Sequence, residues 1–413
     1  MAEDSAEASP EDQAIGQRVG RVRRKRDMTL EVAAGLAGLS KGYLSRLENG
    51  KKGFTRRGLI EDIAEALGCS VADLTGQPYL APDRQSASAA SGIPALAVAV
   101  YDATLDDVPD VPARPVAVLA QAAREANAHA DHVQYAHAGH GLAALLIELQ
   151  VHVVSGDSDT QRAALAALVE ACMAAQGLAR TLGHAELALT LARRGYDAAR
   201  RLERDDLVGL MAMNRGHALM RIGARHRASA VLKGGLDEAA ALPGPTPNDT
   251  TVGEARGMLH LSAALLSARD GRTGDADTHL AEASALAAHT GERNFMRYHF
   301  GPTNVAAWKL TVAVETCTGP DAAERLATTP IDLRVFDSRD RESNMYFDMA
   351  RAWAQAGGAR DDQAMRALDT ADRIAPIRVR NDPIARDLVM AVDRRARRRM
   401  WELESLKRRL GVS

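Results

Sequence analysis

Two groups of side chains in this 413-residue sequence have types and spacings that suit chemistry. The first is a histidine cluster made of His129, His132, His137 and His140, with Asp131 inside it. On a helix, His129, His132 and His140 share one face approximately, and imidazole groups there are able to bind a transition metal. The alternative is a stretch rich in histidine and alanine at a junction between a helix and a loop. We favour that alternative and predict neither a metal nor another cofactor.

The second group is a short run of polar and basic residues between Ser40 and Lys51. Its apolar members, Leu44 and Leu47, have the spacing of a helix face that packs inward. The same helix then leaves a polar face outward, which comprises Lys41, Gly42, Tyr43, Ser45 and Arg46. A basic, polar helix face of this kind suits contact with nucleic acid.

The distribution of charge supports that interpretation better than the total does. The chain has 52 basic and 54 acidic residues, for a net charge of −2. Residues 18–57 alone carry +9, residues 378–409 carry +6, and residues 77–377 carry −8. A concentrated basic segment is expected of a DNA-binding module. The solvated face of ordinary helices would produce the same charge, so the pattern inside the segment has to decide.

Local signals predict five short helices around that run, at about 13–25, 30–37, 41–48, 57–67 and 70–75. Thr29 and Ser40 are the expected N-caps of the second and third helices, and Gly38 ends the second in a left-handed conformation. Two short helices joined by a tight glycine turn are typical of a helix-turn-helix. The residues expected to seal the pair are Val32, Ala33, Leu36, Leu39, Leu44 and Leu47.

The runs MTLEVAAGLAGLSKGYLSRLENGKK and LIEDIAEALGCSVADL resemble the phage-repressor-type DNA-binding domains of the XRE family. The resemblance implies that the helix 41–46 enters the major groove, with base-reading positions at Lys41, Gly42, Ser45 and Arg46. It implies phosphate contacts at Ser40, Tyr43, Asn49 and Lys51, and an internal ion pair between Arg23 and Glu48. The full DNA-binding set is Thr29, Ser40, Lys41, Gly42, Tyr43, Ser45, Arg46, Asn49 and Lys51.

Two positions depart from or weaken the family pattern. The family often has glutamine after the position of Thr29, where this chain has Leu30, so a DNA contact from that side chain is absent. Gly42 has no side chain with which to read a base edge. Specificity should therefore depend on Lys41, Ser45 and Arg46, with Arg46 able to bind guanine through two hydrogen bonds. The alternative is a degenerate domain that binds protein instead of DNA.

The remainder of the chain predicts a linker followed by helical repeats. Residues 77–115 are rich in Pro, Ala and Ser and read as the linker, although IPALAVAVYDA has the composition to dock. Gly183, Gly223 and Gly271 each precede an alanine by five residues, and further copies surround Ala364 and Ala323. Residues 116–382 therefore predict a tetratricopeptide-like solenoid of helix hairpins with a concave groove. The basic residues 383–413 are expected to form one long capping helix, with subunit pairing or phosphate contact as alternatives.

The distal runs FGPTNVAAWKLTVAVE, SRDRESNMYFDMARAWAQAG and RIAPIRVRNDPIARDLV resemble actinobacterial XRE regulators that carry a C-terminal tetratricopeptide-like domain. The architecture is similar to that of Gram-positive regulators whose repeats bind a signalling peptide, although a peptide ligand does not carry over. The repeat register places a candidate effector set in the groove; the alternative is that these residues simply pack the solenoid. The set comprises Met213, His217, Arg221, Asn304, Trp308, Tyr346 and Trp353.

These patterns together predict an all-α protein with an N-terminal five-helix helix-turn-helix domain (13–76) and a C-terminal tetratricopeptide-like α-solenoid. The acidic residues 1–12 are expected to be a disordered tail. We expect a homodimeric transcriptional regulator that binds a double-stranded DNA operator and senses a peptide or small-molecule effector. The alternative is a DNA-tethered scaffold whose repeats recruit a protein. Three scattered cysteines and the lack of a signal or spanning segment favour the cytoplasm without membrane contact, and no catalytic motif indicates an enzyme.

Overall fold

The computed structural model describes residues 14–81, 83–246 and 248–412. The predicted acidic tail at 1–12 lies outside these residues. Over the described part of the chain the fold is all-α, with twenty-three α-helices, three short 3-10 helices and no strand. The prediction of an all-α chain is therefore confirmed.

The first five helices form the predicted N-terminal domain. They are α1 Ile15–Lys25, α2 Leu30–Leu36, α3 Lys41–Glu48, α4 Arg57–Leu67 and α5 Val71–Thr75. The Thr29 hydroxyl accepts a hydrogen bond from the Val32 N–H group at 3.2 Å, and the Ser40 hydroxyl accepts one from the Tyr43 N–H group at 3.2 Å. Gly38 takes the left-handed conformation, with φ at +66°. Both predicted N-caps and the predicted turn are therefore confirmed.

The inward face of α2 differs from the one predicted. Val32 and Leu36 are 51% and 61% exposed, and the residues that pack inward are Ala33, Ala34 and Ala37. Small alanine side chains allow α2 to approach the neighbouring helices closely, which turns the two larger side chains toward solvent. The prediction that Val32 and Leu36 seal the pair is wrong.

The segment predicted as a linker contains two helices, α6 Arg84–Ala90 and α7 Ile93–Asp102. Ile93, Leu96 and Val100 are buried in the same core as the repeats that follow. The alanine-rich composition suggested a tether, but apolar residues at helical spacing within it bury enough surface to dock. The linker boundaries 77–115 are corrected accordingly, because α6 and α7 belong to the repeat region.

The repeat region continues with sixteen helices, most of them paired as hairpins. They are α8 Val116–Asp131, α9 Tyr135–Gly139, α10 Leu142–Ser155, α11 Ser158–Thr181, α12 Ala185–Leu202, α13 Asp205–Arg221, α14 Arg225–Ala240, α15 Thr251–Arg269, α16 Thr273–Thr290, α17 Pro302–Glu315, α18 Gly319–Thr328, α19 Arg339–Gln355, α20 Asp361–Ile374, α21 Pro376–Arg380, α22 Pro383–Arg395 and α23 Trp401–Leu410.

The glycine–alanine pattern marks the hairpin turns. Gly183, Gly223 and Gly271 all have positive φ and connect α11 to α12, α13 to α14 and α15 to α16. The alanines five residues later, Ala188, Ala228 and Ala276, are buried. A left-handed turn favours glycine, and a close helix crossing favours alanine. The helices α13, α15, α17 and α19 stack in succession along one side of the array.

Two stretches in this region have the length and composition of a membrane-spanning helix, Tyr135–Ser155 and Ser158–Thr181. Within the fold, Leu146, Leu149 and Leu168 from these stretches are buried in the repeat core. Their apolar composition is therefore that of core helices in the repeat region.

Residues at the end of α8 and the start of α9 contact residues that lie between α16 and the first turn of α19, so hydrogen bonds run across the centre of the array. The Asp131 carboxylate at the end of α8 accepts hydrogen bonds from Arg297 at 3.0 Å and from the Ser338 hydroxyl at 3.2 Å. The Tyr135 hydroxyl donates to the Asp340 carboxylate of α19 at 3.0 Å. The array therefore surrounds a central cavity that is partly open to solvent.

The C-terminal segment is two helices and not one long helix. Helix α22 ends at Arg395, and the backbone is extended at Ala396 and at Met400 before α23 begins. Leu388, Val392 and Leu406 are fully buried in a core that also contains side chains of the N-terminal domain. The segment therefore joins the end of the array to the N-terminal domain, in place of only capping the array.

Contacts from α22 fix the loop that follows α3. The Asp387 carboxylate accepts a hydrogen bond from the Phe54 N–H group at 2.6 Å, and Phe54 is fully buried. The methyl group of Ala391 leaves no room for a larger residue at Gly53. The N-terminal domain is therefore docked on the body of the protein, through contacts that the predicted linker at 77–115 did not indicate.

The buried Asp387 carboxyl makes the stability of this junction depend on pH. Burial raises the pKa of Asp387 from 3.8 to about 7, against the opposing effects of the Phe54 N–H group and Arg394. The folded state binds the Asp387 proton more tightly than the unfolded state does. The protonated carboxyl therefore contributes its full stabilisation below pH 3.8, and this contribution is lost as the pH rises to about 7. Measured by thermal unfolding, the stability of the wild type relative to Asp387→Asn should fall across this range. The exposed Asp237→Asn is the control, and a constant difference across the range would contradict the expectation.

Candidate functional site

Helix α3 presents the polar face that its sequence predicts. Leu44 and Leu47 are buried, whereas Lys41 and Arg46 are exposed. Gly42 is exposed as well, and Tyr43 and Ser45 are half-buried beside the exposed positions. The contacts of these residues with DNA stay a prediction. The helix face on which they lie is exposed and therefore accessible to a groove of DNA.

An ion pair inside the domain fixes α3 against α1. Arg23 donates two hydrogen bonds to the Glu48 carboxylate, at 2.7 and 2.9 Å, and a third to the Met28 carbonyl at 2.9 Å. The hydrogen bond to Glu48 raises the pKa of Arg23, so this guanidinium stays charged. The pair between Arg23 and Glu48 is therefore confirmed, and its role is to orient α3.

Of the predicted phosphate-contact positions, Ser40, Asn49 and Lys51 lie at or beyond the ends of α3. Ser40 caps the N-terminus of α3, where backbone N–H groups favour an anion. Thr29, which belongs only to the full DNA-binding set, caps α2. At the other end of α3 the Asn49 amide donates to the Ser45 carbonyl at 2.8 Å, and Lys51 is exposed. The ring of Tyr43 lies 4.8 Å from the Lys52 ammonium. These side chains form a polar rim around the exposed face of α3.

A basic side chain from the far end of the sequence also reaches this rim. The Arg394 guanidinium lies directly against Gly50, the left-handed residue (φ +63°) after α3. Arg397 and Arg399, in the break between α22 and α23, are exposed. The DNA-binding set predicted from the sequence does not include Arg394, although the run RRARRR marks the segment as basic.

The N-terminus of α4 is capped by a carboxylate from the repeat region. Arg56, the N-cap residue, makes no side-chain cap, and Glu315 at the end of α17 accepts hydrogen bonds from the Arg57 and Gly58 N–H groups, both at 3.2 Å. Arg351 donates to the same carboxylate at 2.6 Å. Burial alone would raise the pKa of Glu315, but Arg351, Arg269 and the two N–H groups lower it to about 2. The carboxylate is therefore ionised where it supports α4.

A second ionic cluster joins α4 to the ends of two repeat helices. The Glu61 carboxylate is buried and accepts hydrogen bonds from Arg225 at 2.8 Å and Arg269 at 2.9 Å. Arg225 also donates to Asp62 at 2.6 Å and to the Gly58 carbonyl at 2.7 Å. The pairs to Glu61 resist separation, because removal of Glu61 would leave the Arg269 guanidinium with no ion-pair partner among the described residues.

The centre of the array contains a cavity of about 260 Å³ lined by polar and apolar side chains. Four members of the predicted effector set line it: Met213, His217, Arg221 and Trp308. The imidazole of His217 stacks on the Trp308 ring, with centroids 5.7 Å apart. Burial and the neighbouring arginine charges lower the pKa of His217 to about 3, so the ring is neutral.

The other three predicted effector residues lie elsewhere. Asn304 is buried and donates to the Tyr298 carbonyl at 3.0 Å, and Trp353 is buried in the core shared with the N-terminal domain. Tyr346 packs half-buried against that same core. The prediction of one groove with all seven residues is wrong, because these three side chains face the helix packing.

Arginines at corresponding positions of successive repeats line the cavity. Arg180, Arg221 and Arg269 lie at or near the ends of α11, α13 and α15, two or three residues before the turn glycines. All three, with Arg57 of α4, also line a second cavity of about 600 Å³ between the N-terminal domain and the repeats. The effector set named Arg221 and missed Arg180 and Arg269. Their recurrence before each glycine is the sequence signal that would have found them.

The histidine cluster does not gather into a site. The rings of His129 and His137 lie 5.4 Å apart, and the His129 imidazole is hydrogen-bonded to Gln134. Over the described ranges of the chain, no three histidine, cysteine or acidic side chains stand close enough to hold one metal ion.

Comparison with known families agrees with the geometry of the first domain. Residues 14–75 match a family model described as a helix-turn-helix domain. A search of curated proteins found no match to the chain, and a search of solved structures found none either. Residues 14–75 are therefore a helix-turn-helix domain, which this chain carries ahead of a long α-helical repeat region.

Proposed function

We propose that the protein is a cytoplasmic, sequence-specific transcriptional regulator that binds double-stranded DNA as a homodimer. Its repeat region, similar to tetratricopeptide arrays, would sense a small effector. The observation that carries this proposal is the exposed polar face of α3. The domain that contains α3 is docked on a helical body with a central cavity. Helix-turn-helix domains bind DNA by placing such a helix in the major groove.

The connection between cavity and DNA-binding domain supports a sensing role. Arg57 and Arg269 line the cavity and also hold the domain in place, through Asp382 and Glu61 respectively. A ligand that alters the charge around these two groups changes the free energy of docking. Regulation requires that the ligand bind more tightly to one arrangement of the domain than to the other.

Selection of DNA from a random pool tests the proposal. A homodimer should enrich a two-fold symmetric sequence whose half-sites are one helical turn apart, about 34 Å. Affinity for the enriched sequence should fall steeply with salt, because Lys and Arg contacts release counterions from phosphate. Light scattering of the complex then reports whether two chains bind. Failure to enrich any sequence, or binding with no preference over random DNA, would contradict the proposal.

A further inference from the structure

Three arginines in the central cavity form no direct ion pair, although Asp340 lies near Arg180 and Arg341, and Asp382 lies near Arg221. Arg180, Arg221 and Arg341 line the cavity, and within the described residues no carboxylate lies within 4.0 Å of their guanidinium groups. The neighbouring arginines differ in this respect, since Arg378 pairs with Asp340 at 2.6 Å and Arg351 pairs with Glu315 and Asp348 at 2.6 Å. The cavity wall thus combines arginines that form direct ion pairs with three arginines that form none.

Unpaired charge inside a protein is costly, and buried charges are ordinarily paired. Burial and the nearby arginines lower the pKa of both Arg180 and Arg221, which shows how unfavourable the isolated charges are. The Nε2 atom of His217 and the Nε atom of Arg269 are also fully buried with no hydrogen-bond partner in the described structure. Five side chains around one cavity therefore have unused capacity for hydrogen bonding or charge pairing.

The carboxylates of Asp131, Asp340 and Asp348 also line the cavity, and one part of its wall is apolar and aromatic. Met213, Met258 and Leu265 lie on it, and Trp308 presents a ring stacked with neutral His217. A volume of about 260 Å³ lies just below the usual range for pockets that hold organic ligands, so it suits a small ligand and excludes a folded protein. The wall suits an organic body attached to the charged group.

We propose that this cavity binds a small organic anion, whose carboxylate or phosphate group lies among Arg180, Arg221 and Arg341 and whose apolar part packs on Met213 and Trp308. Arginine forks bind both oxyanions through paired hydrogen bonds, so the chemistry is common to the two. The inference rests on the proposed sensing function, and it adds the chemical class of the effector. The anion would pair with the three arginines that form no direct ion pair.

Thermal unfolding of the full chain without DNA tests this assignment. The probes are benzoate, which offers a carboxylate on a ring, and inorganic phosphate, with sodium chloride at matched ionic strength as the reference. A ligand that binds only the folded state raises Tm. We expect benzoate or phosphate at millimolar concentration to raise Tm by about 3 °C or more over chloride, and the stronger of the two identifies the preferred oxyanion. No rise with either probe would overturn the proposal.

Arg221→Met and Arg180→Met separate an anion site from a structural role. Each substitution replaces an unpaired charge with an apolar side chain of similar length, so Tm in chloride should rise or stay constant while the response to the probes is lost. Arg162→Met is the control, because Arg162 is exposed near the start of α11, about 27 Å along the helix from Arg180. A probe response retained in both cavity variants would overturn the proposal.

Arg341→Met provides an independent measurement of the probe response if either of the first two variants fails to fold. Lower Tm in chloride for all three variants would assign the arginines a structural role and would also overturn the proposal. DNA selection is performed without any probe, so the outcome there is separate. Loss of the anion response with DNA binding intact would refute only the class of ligand.

Discussion

Replacing Arg351 with methionine should lower the free energy of unfolding by about 3–5 kcal/mol, as expected when one partner of a buried ion pair is removed. Arg351 is 2% exposed and donates to Asp348 and Glu315, both at 2.6 Å, and to the Thr55 carbonyl at 2.8 Å. Without it, two buried carboxylates lose their cation, and the Glu315 cap of α4 is weakened. Urea-induced unfolding measures the change.

Two variants sharpen this measurement. Arg351→Lys keeps the charge but should recover only part of the loss, because one ammonium nitrogen cannot reach the three acceptors that three separate nitrogens of Arg351 bind. Arg162→Met removes an exposed arginine with no ion pair and should change the free energy of unfolding by less than about 0.5 kcal/mol. A loss below about 1 kcal/mol for Arg351→Met would show that Asp348 and Glu315 find other partners.

Replacing Arg46 with alanine should weaken binding to the selected DNA by about 1–3 kcal/mol, roughly 5- to 150-fold, as for the loss of a bidentate contact to guanine. Arg46 is exposed on α3, and its ring contact with Tyr43, at 5.9 Å, is long. Its removal should therefore leave the fold intact. Gel-shift titration at fixed salt measures the affinity, and repeated DNA selection shows which base pair loses its preference.

Comparison with Lys51→Ala separates base reading from phosphate contact. Loss of a phosphate contact should weaken binding to every sequence equally and reduce the dependence on salt by about one ion. Arg162→Ala removes the same charge far from α3 and should not change affinity. Equal affinity of Arg46→Ala and the wild type for the selected DNA would remove Arg46 from the base-reading set.

The helix-turn-helix was predictable because its signals are local. Thr29 and Ser40 are each within three residues of the N–H group that they cap, and Gly38 sets its turn by its own φ. The glycine–alanine repeats were readable for the same reason, since each pair lies within one turn and the start of one helix. Such features are determined by neighbouring residues, so the order of residues is enough to find them.

The docking of the domain and the composition of the cavity were not predictable in this way. The cap that Glu315 places on Gly58 joins positions 257 residues apart, and nothing at either position indicates the other. Which side of a repeat helix faces the cavity depends on the helices packed around it, so Met213 was placed correctly and Trp353 was not. On α2, alanine and the larger Val32 compete for the inward face, and periodicity alone favours the larger residue.

The shared core of the N-terminal domain and helices α22 and α23 affects how this protein can be recombined. In sequence, residues 383–412 are the last segment, but in space they pack on the first domain, through Asp387 on Phe54 and Arg394 on Gly50. In a chimera that joins residues 14–76 to another sensor, Phe54 would lose its contacts with α22. An exchangeable DNA-reading unit of this protein consists of both ends of the chain, so a functional transplant has to carry two separate segments.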